Sequence, residues 1–122
     1  MTSVFIHNQS RPEIAPIHSR VCDLFASRLR GLMFTRSIHP EEGILLIHHQ
    51  DSRLDASIHM LFMFYDLGII WINSHKEVVD TTLAKKWRPI YVPSAPAYYT
   101  LETHPAQLEN YKIGDKLEFQ DA

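Results

Sequence analysis

Apolar residues in this chain fall in short runs cut by polar and proline-rich breaks, and most runs have the length of strands. Ser3 to Ile6 is rich in β-formers, and the turn composition of Asn8 to Pro12 closes it, which predicts a first strand. Pro12 and Pro16 restrain the residues before them toward extended backbone, and Ile17 to Cys22 continues as a second strand. The period then changes. Leu24, Phe25, Leu29, Leu32 and Met33 recur at helical spacing behind Asp23, a capping residue type, and predict the best helix of the chain.

After the loop His39 to Glu42, Gly43 releases the chain into Ile44 to Ile47, a continuous apolar run suited to a strand covered on both faces. Ile58 to Tyr65 and Leu67 to Asn73 read as two dense strands entered from the polar loop Asp51 to Ser57, and Glu77 to Leu83 pairs back as a hairpin, giving a β-meander. Pro89, Pro93 and Pro96 do not fit the interior of a regular strand, so that segment is expected to be a surface loop. Ala97 to Glu102 returns to strand character, His104 to Tyr111 suits one or two helical turns, and a turn at Ile113 to Asp115 precedes a last strand, Lys116 to Phe119. Many short strands with one good helix predict an α+β, β-rich fold: a strongly curved or barrel-like antiparallel sheet with one packed helix. No repeat or linker interrupts the chain, and residues 1–122 are expected to form one domain.

Composition narrows the function classes. With 45% hydrophobic and 21% charged residues the chain is neither disordered nor membrane-embedded in character, and a formal charge of -2 gives no basic patch for nucleic acid. The longest apolar region, Ile58 to Ile72, is broken by His59, Asp66 and Gly68, too short for a membrane helix. One cysteine, Cys22, closes no internal disulfide and suits a reducing compartment, so the cytoplasm is the default expectation.

Four pieces in order, Arg28 to Phe34 (RLRGLMF), Gly43 to Leu46 (GILL), Ser57 to Met63 (SIHMLFM) and Ile113 to Leu117 (IGDKL), resemble the DUF192 family, also called UPF0127. The resemblance runs from about Val21 to Phe119 and implies a small, β-rich domain with one packed helix; it implies no particular activity. Carried over by position, its signature falls on Arg28, Arg30, Gly31, Leu32 and Met33, on Gly43, on His59 and Met63, and on Gly114 and Asp115. This chain departs from it at Tyr65-Asp66-Leu67-Gly68, where many relatives have a Phe-Pro-Ile-Asp-like segment: the acid comes two positions earlier and glycine stands at the aspartate.

His59 heads the candidate site residues. It alternates away from Ile58 and Met60 and suits either a buried, paired imidazole or a group that contacts ligand or moves a proton near neutral pH. Eight histidines raise the question of metal, yet adjacent His48 and His49 point to opposite faces of a strand and no HExxH, CxxC or carboxylate-rich loop is present, so no metal and no cofactor are expected. Arg28 and Arg30 cannot share one helical face; each suits a carboxylate brace or an anion site. Cys22 and the serines Ser52 and Ser57 lack any nucleophile motif. The leading expectation is a binding or accessory module for a small polar or anionic ligand, with Arg28, Arg30, His59, Trp87 and Arg88 around a shallow cleft. A small hydrolase using His59 as general base, oriented by Asp66 or Glu102, is the alternative, and a protein-interaction domain built on Ile58 to Ile72 is the third.

Overall fold

In a computed structural model the described residues are 3–22, 38–60, 63–88 and 90–122. The helix expected from Leu24 to Met33, and with it Arg28, Arg30 and Gly31, lies outside them. Seven strands form among the described residues: β1 (Ser3–Asn8), β2 (Ile17–Cys22), β3 (Glu42–Ser52), β4 (Leu67–Ile72), β5 (Val78–Ala84), β6 (Ala97–Thr103) and β7 (Leu117–Asp121). A 3-10 helix, Pro105–Asn110, stands between β6 and β7. The fold is therefore mostly sheet, in the order β5-β4-β6-β3-β2-β1-β7.

The antiparallel expectation holds for every ladder but one: β2 and β3 run parallel, with His18 opposite Glu42 and Cys22 opposite Leu46. A parallel neighbour needs a crossover, and residues 23–41 supply it. No ladder joins the edge strands β5 and β7, so the sheet is not a closed barrel. The two edges nevertheless meet at one point, an isolated bridge between Glu77 and Lys116, where Val78 N–H donates to the Asp115 carbonyl and Leu117 N–H to the Lys76 carbonyl.

The alternation of side chains builds a core on each face. Ile44, Leu46, Ile69 and Trp71 face Cys22, Ala56, Ile58, Met60 and Met63, while Leu45, Ile70, Ile72 and Leu101 face Ile6, Ile17, Val78, Tyr111 and Leu117. Every residue of β4 is buried, which explains why its sequence shows no polar alternation. Two glycines admit close crossings. A Cβ on Gly43 would stand 3.0 Å from the Glu102 carbonyl oxygen, and one on Gly68 would stand 3.0 Å from that of His104.

One expected strand is absent among the described residues. Ile58 makes a single bridge to Tyr91, and Met63 N–H donates to the Met60 carbonyl, so the described residues of Ile58 to Tyr65 form no strand and β4 pairs with β5 and β6 instead. Its apolar residues plug one core from a loop: Ile58, Met60 and Met63 are buried without belonging to a ladder. The strand-like composition reflects that burial.

Candidate functional site

The loop that follows this plug meets a second segment after β5, Lys85 to Arg88 with Ile90 to Val92, and three successive amides fix the meeting. Lys85 N–H donates to the Tyr91 hydroxyl, Lys86 N–H to Asp66 Oδ1 at 2.9 Å and Trp87 N–H to the Met60 carbonyl at 2.9 Å. Met60 N–H in turn donates to the Arg88 carbonyl at 3.1 Å. Trp87 sits at φ 66° within this frame, a left-handed conformation that a bulky side chain rarely adopts. Its indole, 48% exposed, meets the 58% exposed ring of Phe64 edge-on, with centroids 6.1 Å apart.

A third segment completes the site. Because Gly68 lacks a side chain, β4 passes directly under His104, Pro105 and Leu108. His104 caps the 3-10 helix, its Nδ1 accepting from Ala106 N–H at 3.0 Å, and Pro105 occupies the first turn, where no amide is needed. Gln107 Nε2 donates to the Pro40 carbonyl, which draws the segment carrying Ile38 to the same side. Between these walls lies a cleft of about 370 Å³ lined by Ile38, Phe64, Tyr65, Asp66, Lys86, His104 and Pro105.

The cleft's polar groups differ in what they offer. With Nδ1 accepting, the neutral His104 ring carries its proton on Nε2 and can donate there. Asp66 Oδ1 is occupied by the Lys86 amide, which leaves Oδ2 as an acceptor, and Lys86 adds an ammonium. One carboxylate, one ammonium and one imidazole therefore share a cleft whose remaining wall is aromatic or aliphatic.

The expected site residues are only partly brought together. Asp66 lines the cleft. Trp87 stands at its aromatic edge through Phe64, and Arg88 is exposed, taking part in the frame through its carbonyl. His59 is half-buried between the buried Ile58 and Met60 and is not among the lining residues. Glu102 is fully buried on β6, between Ile44 and Ile69 of the neighbouring strands. Cys22 is buried with Ile44 and Leu46, a small apolar group within a core. Lys86 and His104 were not singled out by sequence. The signal for His104 was local, a polar residue before proline at a helix start, whereas Lys86 carries none.

His48 is bonded through Nε2 to Thr100 Oγ1 at 2.7 Å. Burial lowers its pKa below the usual imidazole value, the nearby Asp55 opposing and His49 adding to the effect. Its neighbour His49 is exposed, at φ 63°, where the β3–β6 register shifts. Among the described residues no three His, Cys, Asp or Glu side chains are grouped to hold a metal ion. Nor is any helix there long and apolar enough to cross a membrane.

Two solved structures share this fold. A proposed transcription regulator from Sinorhizobium meliloti superposes with a TM-score of 0.79 over 97% of this chain and 92% of its own, at 19% identity. A protein of unknown function from Novosphingobium aromaticivorans gives 0.76 over 95% and 83%, at 21% identity. At these identities the likeness concerns the fold. The family is fixed by sequence: the profile of DUF192 (Uncharacterized ACR) matches residues 6–119, and the chain belongs to that family. A UPF0127 protein of Pyrococcus furiosus is 39% identical over 84% of this chain and 87% of its own length. Another, from Thermococcus sibiricus, is 34% identical over 93% and 73%.

Proposed function

We propose that the protein is a binding module for a small polar ligand and that its site is the cleft between Phe64, Asp66, Lys86 and His104. The observation that carries this reading is the convergence of a carboxylate, an ammonium and an imidazole from three chain segments on one concave, partly aromatic surface. The ligand-facing role expected for Arg30, His59 and Arg88 passes in this reading to Lys86 and His104. Thermal-shift measurements against inorganic phosphate, citrate and neutral sugars test it. A ligand that raises the melting temperature of the native chain and loses that effect in the Asp66→Ala/His104→Ala double variant supports the site; stabilisation that survives both substitutions sinks it.

A second reading, as a protein-interaction domain, draws on a different observation. The apolar run Ile58 to Ile72 is mostly internal, but Phe64, Trp87, Ile90 and Val92 are 58, 48, 59 and 44% exposed on two loops joined by the Ile58–Tyr91 bridge. Size-exclusion chromatography across concentration checks it: a strictly monomeric chain at every concentration argues against self-association through this surface.

A further inference from the structure

We infer that the ligand of this cleft is a saccharide, its apolar face set against Phe64 and its hydroxyls reading Asp66 and His104. The inference rests on the cleft being the binding site proposed above and narrows that reading to one chemical class.

The charge set argues for it. Asp66 and Lys86 cancel, and His104 with its Nδ1 engaged by Ala106 N–H offers a neutral donor. With Asp66 and Lys86 offsetting each other, the cleft offers a phosphate or a dicarboxylate no net positive charge, whereas a sugar ring presents hydroxyls that both donate and accept. The aromatic edge argues the same way. Phe64 and Trp87, both well exposed, meet edge-on at 79°. Of the two, Phe64 lines the cleft together with Asp66, Lys86 and His104, so a pyranose resting its C–H face on Phe64 has those polar groups within the same cleft. Trp87 itself is held at φ 66°, where glycine or asparagine would rest more easily. The frame of the Lys86 and Trp87 amides thus keeps an indole at the surface against local preference.

The two tryptophans make the test internal. Trp71 is 1% exposed and its indole N–H donates to the Ala56 carbonyl at 2.8 Å, so it reports folding but not surface binding. Indole N–H resonances of the full chain are followed by NMR while glucose, galactose, mannose, N-acetylglucosamine, cellobiose and chitobiose are added in turn, with inorganic phosphate and citrate as anionic probes. The expected result is a saturable shift of the Trp87 indole with at least one saccharide and an unmoved Trp71. Affinity for that saccharide should fall tenfold or more in Phe64→Ala and in Asp66→Asn, the latter keeping an acceptor for the Lys86 amide. Saturable shifts with phosphate or citrate but with no saccharide overturn the sugar class and leave the cleft as a binding site. Shifts with no probe remove both readings, and a saccharide whose affinity both variants leave unchanged places its site elsewhere.

Discussion

Asn8 and Asp115 stand 107 positions apart and are joined by a 2.8 Å hydrogen bond from Asn8 Nδ2 to Asp115 Oδ2. The same amide donates to the Asn110 carbonyl, Asn8 Oδ1 accepts from Ser10 N–H, and Asp115 Oδ2 also accepts from Lys112 N–H. Asn8 is 2% exposed, so this knot ties the end of β1 to the turn before β7 where the sheet edges meet. Asp115→Ala would leave a buried amide short of one partner and a turn without its brace, and should cost about 1–3 kcal/mol, read by urea denaturation. A cost no greater in Asp115→Ala/Asn8→Ala than in the worse single variant would confirm the pair acts as one unit; full additivity would refute it.

Gly68 and Gly114 are required for different reasons, and alanine should separate them. At Gly68 the new methyl would press on the His104 carbonyl, Leu108 and Pro105, a steric cost of roughly 1–3 kcal/mol that also displaces one wall of the cleft. At Gly114 nothing lies within 4 Å, but φ is +95°, so alanine should cost about 1 kcal/mol from backbone strain alone. Ligand affinity in the cleft should change for Gly68→Ala and not for Gly114→Ala; equal effects of both on binding would count against the cleft.

Tyr111 is 1% exposed, and its hydroxyl has no hydrogen-bond partner among the described residues. Burial, aided by Asp115, pushes its pKa up from 10.0 to about 12. Between those values the folded phenol keeps a proton that the unfolded one has lost, so this group's stability contribution is intact below pH 10 and is lost as pH rises toward 12, by roughly 2–3 kcal/mol in all. Tyr111→Phe should be near neutral at pH 7, because no partner is orphaned, and should flatten the alkaline decline. Denaturation midpoints for both proteins from pH 8 to 12 check this, and identical slopes would sink it.

His48 has the opposite sensitivity. Its imidazole is harder to protonate folded than unfolded, so as pH falls below about 6.5 the unfolded chain gains a proton first and stability declines. His48→Gln retains hydrogen-bonding atoms toward Thr100 and should lessen the decline between pH 7 and 5. Thermal melts across that range would expose a failure as unchanged pH dependence.

Much of the sheet was legible because its signals are local. Ile17–Cys22 was readable from a proline-bracketed approach, and the β4–β5 hairpin from the turn composition of Asn73 to Lys76. Pro93 and Pro96 stand in a described stretch that joins no ladder, as Tyr91 shows with its single bridge. The parallel pairing of β2 with β3 was not legible, since nothing in either strand records which way its neighbour runs. Ile58 to Met63 misled because a core plug and a buried strand share one composition.

The site was legible in part for the same reason. Asp66 and Gly68 stood out as departures from the family pattern, and both prove to build the cleft, one by fixing the Lys86 amide and the other by letting β4 pass under His104. Lys86 gave no signal, because its role depends on a turn 20 positions from Asp66. His59, the most conspicuous residue of its stretch, lies half-buried between two core side chains instead.

The place of β1 between β2 and β7 has a consequence for synthesis. Its antiparallel partner Leu117–Asp121 follows all the other described strands along the chain, so one edge of β1 stays open while they are made. Until then one edge of β1, with the aspartate that will hold Asn8, is missing, and the nascent sheet exposes an unpaired border to whatever chaperone or neighbouring chain reaches it first.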